Sequence, residues 1–423
     1  MEVRVPSMSG EPWQELYTGL RRPVLHRAVT GFNVNLDRII PVSRELLQSS
    51  LLSGGDLTEF RARLLHSMET CTADEMFVQD PAQYQRLAGL FSGSGALAIG
   101  GQAGIAAVHL ASAGVPAVFC AAPAMGRMTR EILLGSGVII PNLGKEQSGG
   151  HDTVHLVFEY QPGLIPVLEG VAPRNNRFIV SPVHEPASAL VPQGSMDLFL
   201  EEIAGCTRAF LSGYQYLRSD RDFAAAARQM QMMKHHNPDL KIHTEWVTVR
   251  DREITGKFIR FIIPETDSLG LNEYELALLR GYLDPSGMWS VDCGDVSPVR
   301  LVKEALEVCR ATGLSRLHVH TFGWYILIHR KKSGDLSGSR DALLFASREA
   351  AKAAQGNGSV ISPDGIRAIG QVSHAFGQEE SADLFRDGDF FIILVPAMIA
   401  AGITRTAGMG DRISSLAFVT DPF

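Results

Sequence analysis

The sequence predicts a doubly wound α/β protein, a large mostly parallel sheet with helices on both faces and a smaller α+β region beside it. Three observations predict it. Apolar β-type runs alternate with helical stretches along most of the chain. The 423 residues are too many for one small core and suit one large α/β domain plus a lesser one. The region 138–170 differs from the rest, with Gly144, Gly149, Gly150 and Gly163 around an alternating run at 154–160, the pattern of an antiparallel sheet or lid.

Strand-type runs are expected at 24–32, 117–120, 178–180, 209–211, 240–243, 258–263, 316–320, 325–329 and 390–395. Helical periodicity is expected at 59–68, 103–113, 223–235, 273–279, 298–311, 340–354 and 411–418. Gly/Ser-rich stretches at 334–340 and 355–363 read as surface loops. The longest apolar run, 390–403, contains Pro396 and is too short to span a membrane, so it reads as a buried strand entering a turn. Sheets of this class bind ligands beyond the carboxyl ends of their strands.

Composition narrows the function. Apolar residues make up 45% and charged residues 20%, which excludes a disordered or collagen-like chain. With 39 basic and 46 acidic residues the net charge is −7, a poor basis for sequence-independent nucleic-acid binding. The expected partner is a small molecule in a cleft, with no nucleic acid and no membrane. Residues 1–20 carry Glu2, Glu11 and Glu15 and no apolar leader pattern, so the expected location is the cytoplasm. Cys71, Cys120, Cys206, Cys293 and Cys309 are scattered without a CxxC spacing and read as reduced, buried thiols.

Several motifs carry chemistry beside a plainer reading. Gly408-Met409-Gly410-Asp411 precedes a helix; its glycines admit an anion close to backbone amides at the positive helix end, while Asp411 also suits a simple N-cap. Asn272 and Glu275 share one helix face, as a hydrated magnesium site or as a capping box. His243 and Glu245 lie on one side of a strand end. Asn33, Asn35 and Asp37 alternate at the close of the first strand, where they suit sugar hydroxyls or turn chemistry. Gly100-Gly101-Gln102 opens an Ala-rich helix, and Arg174 and Arg177 stand before a strand as a phosphate clamp or a solvated pair. The GxGxxA run at 93–98 follows no β run and has no acidic residue on a later strand, and no GxxxxGK[ST] loop exists.

These motifs, in this order, resemble the ADP-dependent glucokinase and phosphofructokinase family, a branch of the ribokinase-like fold. The matching segments are GFNVNLD (31–37), ETCTADE (69–75), GGQAGIA (100–106), HLVFEY (155–160), PRNNRFI (173–179), LSGYQ (211–215), HTEW (243–246), SLGLNEYE (268–275), LHVHTFGWY (317–325) and GMGDRISS (408–415). The resemblance implies Asp411 as the catalytic base, with Gly408 and Gly410 as the anion hole. It implies Asn272 and Glu275 as an NxxE magnesium motif, and Glu245 with His243 as an HxE motif. Asn35, Asp37, Gly101 and Gln102 match sugar-contacting positions. Glu75 matches a glutamate that goes with unphosphorylated glucose. Arg177 matches a phosphate-contacting arginine, and His320 lies in the segment near the nucleotide. Arg412 stands where the family usually has Thr or Ala, Gln102 where many members have Asn, and Arg405 lies close before the GxGD loop.

The resemblance further implies a large nucleotide-binding domain over 1–37, 92–115 and 171–423, and a small lid over about 38–91 and 116–170. The implied reaction moves the β-phosphoryl group of ADP to a hydroxyl of glucose or fructose 6-phosphate with Mg2+, releasing AMP. Two further readings stand beside it. Arg412 keeps open a kinase of the same fold with another acceptor, such as a pentose phosphate or nucleoside, or with ATP. A non-catalytic sugar or nucleotide sensor is opposed by the intact Asp411, Asn272 and Glu275.

Overall fold

The computed structural model describes residues 10–48, 57–70, 74–123, 125–142, 151–161, 175–183, 190–249, 251–284, 297–330, 335–354, 358–377, 383–400 and 408–423. Their apolar runs assemble into a large sheet whose spatial order is β14 (Leu384–Asp387), β15 (Phe390–Pro396), β12 (Trp324–Arg330), β11 (Arg316–His320), β10 (Ser268–Asn272), β9 (Lys241–Glu245), β8 (Arg208–Leu211), β1 (Ala28–Gly31) and β5 (Val118–Ala121). From β11 to β5 the strands run parallel. β12, β15 and β14 are joined antiparallel at one edge. Ile242, Leu269, Leu317, Ile326 and Ile393 are fully buried, as expected of a sheet with helices on both faces. Each such side chain contributes about 1.5–3 kcal/mol by leaving water.

A second sheet has the order β3 (Asp74–Val78), β7 (Asn176–Pro182), β6 (Val154–Tyr160), β2 (Asn35–Pro41) and β4 (Ala96–Gly100). It packs its own aromatic core. Phe158 lies with its ring centroid 5.0 Å from both Phe60 and Phe91, and Phe178 sits 6.0 Å from Phe60. A short ribbon pairs β13 (Ser359–Ile361) with β16 (Met398–Ala400).

The strand at 316–320 and the run at 154–160 fall where the sequence places them, although β6 pairs antiparallel only with β7 and parallel with β2. Elsewhere the sheets divide the chain differently from the expected boundaries. The 37/38 boundary falls inside β2, and β4 and β7, expected in the large domain, pair in the small sheet. β5, expected in the lid, pairs with β1; its four residues are all buried, which suits an interior parallel strand.

The run 258–263 is not a strand. Phe258–Ile262 is a π-helical turn continuing the helix Arg252–Lys257, and Ile263–Glu265 is a 3-10 turn. Phe258 and Ile262 are fully buried while Ile259 and Phe261 are only partly so, a spacing of four that fits a helix and not a two-residue pleat. Residues 336–340, read as loop, begin the helix Leu336–Ala353, because Asp335 accepts a hydrogen bond from the Ser337 amide as its N-cap. Within 355–363, Ser359–Ile361 is strand β13. Gly144, Gly149, Gly150, Gly163, Gly334, Arg174, Arg405, Cys71 and Cys293 lie outside the described residues. Cys120, Cys206 and Cys309 are buried free thiols. Among the described residues no helix is long and apolar enough to cross a membrane.

Candidate active site

The last helix, Met409–Thr420, begins at Gly408, which has φ +73°. A side chain there would be strained, and its Cβ would also lie 2.7 Å from Ile105. A Cβ on Gly410 would lie 2.5 Å from Nε2 of His320, at the end of β11. Both glycines are thus required by close approach. The first amides of such a helix have no partner within it and form its positive end.

Asp411 is not the N-cap that the sequence also allowed. The N-cap is Gly408, and Asp411 lies three residues inside, half-buried. Burial raises its carboxyl to about 6; Arg177, a hydrogen bond from Gln102 and Arg412 pull it the other way. His320 is pushed down to about 4 by burial and so is neutral at pH 7.

Asn35 and Asp37 do not close the first strand, which ends at Gly31; they open β2. The register then decides what they face. Asp37 lies opposite His155, Glu159 opposite Arg177, and Glu75 opposite Ile179. With a two-residue pleat, Asp37, Glu75, Arg177 and Ser181 share one face of the small sheet, while Phe158 and Phe178 fill the other. Asn35 Nδ2 donates to Asp37 Oδ1 at 2.7 Å. Ser181 Oγ donates to Glu75 Oε1 at 2.6 Å. Burial raises Asp37 to about 7 and raises Glu75, and Arg177 opposes both shifts. One guanidinium is therefore within electrostatic reach of Asp37, Glu75 and Asp411.

Beside them the Gly101 backbone has φ +70°, and a Cβ on it would lie 2.7 Å from Asn35 Oδ1. Asn35 Oδ1 and Gln102 Oε1 are buried acceptors with no hydrogen-bond partner. Such atoms cost about 1–3 kcal/mol unless something donates to them. Tyr216, whose hydroxyl is 3.5 Å from Asn33 Oδ1, is within reach of Glu75 and Asp37. Sequence reasoning stopped one residue short of it, at Gln215, and passed over Ser181, which carries no local signal.

The two acidic motifs lie within electrostatic reach of Asp411. Asn272 Oδ1 accepts from the Glu275 amide at 2.9 Å, and Glu275 Oε2 accepts from the Asn272 amide at 2.8 Å, so the capping box is formed. Glu275 Oε1 also accepts from Thr248 at 3.3 Å. Burial raises Glu275 to about 8, with Asp411 adding to the shift. Glu245 is buried, and its pKa is raised well above the ordinary value by burial and then by Asp411 and Glu275. His243 Nε2 lies 2.9 Å from Glu245 Oε2, as the shared side of the HxE spacing required.

The protonated folded-state Glu275 sets a pH dependence. The folded form holds a proton that the unfolded chain releases above its ordinary pKa of 4.5, so this stabilising contribution is full below 4.5 and lost as pH rises toward 8. Glu275→Gln keeps the capping acceptor without the charge. Its melting temperature is expected to fall less than that of the wild type between about pH 5 and pH 8. An equal fall would show that Glu275 is not buried as a strained carboxylate.

Across residues 26–420 the chain matches the model of the ADP-specific Phosphofructokinase/Glucokinase conserved region. The chain belongs to this family. It is 27% identical to the ADP-dependent glucose/glucosamine kinase of Pyrococcus furiosus, over 96% of this chain and 98% of that one. It is 25% identical to the ADP-specific phosphofructokinase of the same organism, over 92% of this chain and 96% of that one. A solved ADP-dependent kinase in complex with fructose-6-phosphate and ADPbetaS superposes with a TM-score of 0.83 at 22% identity, covering 99% and 98% of the two chains. The ADP-specific phosphofructokinase/glucokinase family thus includes kinases named for both kinds of acceptor.

Proposed function

We propose that the protein is an ADP-dependent sugar kinase that transfers the β-phosphoryl group of ADP to a hexose or hexose phosphate hydroxyl and releases AMP. The observation that carries this reading is Asp411, a half-buried carboxyl at a helix N-terminus that burial raises to about 6, with Arg177 in electrostatic reach and a hydrogen bond from Gln102. A base poised near neutral pH removes the acceptor proton, and helix-end amides with Arg177 offset the charge that spreads over the transferring group.

Asn35, Asp37, Gly101 and Gln102 hold the sugar in this reading, and Gly408, Gly410 and Arg177 hold the phosphoryl group. His320 packs beneath the helix start and Asn272 lies at the nucleotide side. Glu245 and Glu275 suit magnesium, since both are buried carboxyls whose charged form is disfavoured by burial and by Asp411, and a divalent cation would stabilise that charged form. Among the described residues no cluster of three His, Cys, Asp or Glu side chains forms a cage, which suits a hydrated ion shared with phosphates. Bound there, magnesium would neutralise developing phosphate charge. The five-stranded sheet with its separate aromatic core is the lid, closing its Asp37, Glu75 and Arg177 face over the sugar and excluding water. A hexose-phosphorylating kinase of this kind would serve glycolysis in the cytoplasm.

Glucose, fructose 6-phosphate, ribose 1-phosphate and nucleosides, each offered with ADP or ATP and magnesium, decide the reaction by AMP or ADP release. ADP with a hexose acceptor is expected to give turnover. Turnover at least about tenfold better with ATP would overturn the donor, a difference of about 1.4 kcal/mol in barrier.

Glu75 sets a second expectation. Glu75→Ala is expected to weaken an unphosphorylated hexose more than a phosphorylated one, because a carboxylate accepts from sugar hydroxyls and repels phosphate. Ser181→Ala, which only frees the Glu75 carboxylate, is expected to shift the same ratio in the same direction by less. Equal losses for the two acceptors in steady-state kinetics would make Glu75 structural.

A further inference from the structure

Behind Glu245 a line of fully buried polar side chains crosses the large sheet. Arg316 Nε donates to Asp421 Oδ2 at 2.8 Å, and Arg316 Nη1 donates to Ser268 Oγ at 2.8 Å. The same Ser268 Oγ lies 2.8 Å from His243 Nδ1, and His243 Nε2 lies 2.9 Å from Glu245 Oε2. Ser414 Oγ, in the helix that carries Asp411, donates to Glu245 Oε2 at 2.6 Å. Arg316, Ser268, His243, Ser414 and Asp421 are each 0% exposed. The cluster lies over Gly270 of β10, where a Cβ would stand 2.5 Å from Ser414 Oγ and 2.6 Å from His243 Nε2.

Donor and acceptor counting gives the line a direction. A guanidinium only donates, so Ser268 accepts from Arg316 and has one proton left to give. Its remaining neighbour is His243 Nδ1. An imidazole that accepts at Nδ1 carries a single N–H. If Nδ1 accepts from Ser268, the ring proton sits on Nε2, facing the Glu245 carboxylate. The opposite tautomer would leave the serine proton without a partner. A buried arginine–carboxylate pair is an expensive way to hold a core, which argues for a directional role.

We propose that Arg316, Ser268 and His243 form a one-way donor chain that fixes His243 as its Nε2–H tautomer and so positions the Glu245 carboxylate toward the phosphate end of the active site. Ser268 and Arg316 are positioning residues; neither lies at the reacting atoms. The consequence for metal binding rests on the reading of Glu245 given above, whereas the donor chain itself does not. Because His243 holds only Oε2, Oε1 is left toward His320, 3.7 Å away, and toward the site.

The test is made on the intact chain labelled with 15N-histidine, with His243 assigned by loss of its signals in His243→Gln. The wild type is expected to show His243 protonated at Nε2 and bare at Nδ1. Ser268→Ala is expected to mix or reverse the tautomers. In a parallel titration followed by electron paramagnetic resonance, Ser268→Ala is expected to weaken Mn2+ binding in the presence of ADP by about 10–100-fold, the usual cost of losing an outer partner of a metal-binding residue. A wild-type His243 protonated at Nδ1 overturns the proposal outright, whether or not the variant folds. An unchanged tautomer in folded Ser268→Ala overturns it as well. A changed tautomer with unchanged Mn2+ affinity upholds the donor chain and instead removes Glu245 from the metal.

Discussion

Asp411→Asn is expected to lower turnover by about 10²–10⁴, the worth of a positioned general base. The substitution keeps shape and size. It removes no cap, because Gly408 occupies that position. Burial raises the Asp411 carboxyl from 3.8 to about 6, so its stabilising contribution is lost as pH rises through that interval. Asn has no such loss, and the melting temperature of the variant at pH 8 should equal or exceed that of the wild type. The kinetic sign is the reverse. The base works only when deprotonated, so wild-type kcat/KM should fall as pH drops below about 6. The residual activity of the variant should not show this limb. ADP affinity, measured calorimetrically, should hold or tighten with one negative charge gone. A folded variant keeping more than about a third of wild-type turnover would falsify the assignment of the base, since general-base loss costs at least about 10².

Arg177→Met is expected to cost about 10²–10³ in kcat/KM, the scale for removing one electrostatic contact to developing charge. It should also move the acid limb upward. Arg177 lowers the pKa of Asp411, Asp37 and Glu75, and without it all three carboxyls hold their protons to higher pH. Arg177→Lys should restore part of the limb's position, because the charge returns, and less of the rate, because the planar fork does not. A rate loss with an unmoved limb would show that Arg177 acts on phosphate alone and does not set the charge of the base.

Much of the site was legible because its motifs are local. Gly408 and Gly410 could be read as required glycines, since a helix start that admits an anion needs them whatever packs nearby. Asn272 and Glu275 share a helix face by spacing alone, and His243 and Glu245 share a strand side. The resemblance joined these segments in order, and the face-sharing of both pairs is present in the fold. Phe258–Ile262 failed because an apolar run of β-prone residues has no period of its own; only packing against the rest of the core selected a helical turn. Strands β2 and β3 do not show in the apolar pattern because polar residues such as Asn35, Asp37 and Glu75 interrupt it, and those residues share the face that Arg177 joins.

The sequence by itself determined the alternation of strands and helices, the glycine-framed start of the last helix and the pairs set by local spacing, because each depends on neighbours within one turn or pleat. Only the tertiary structure decided which sheet each strand joins and what faces Arg177. Asp37, Glu75 and Asp411 are brought to it from three distant parts of the chain by the register of β2, β3, β6 and β7 and by the start of the last helix. Their raised pKa values follow from that convergence and from burial, which no single segment contains. The same holds for Ser268 and Arg316, ordinary residues in sequence. Parallel pairing of β10 between β9 and β11 sets them behind His243 and makes them a line of donors.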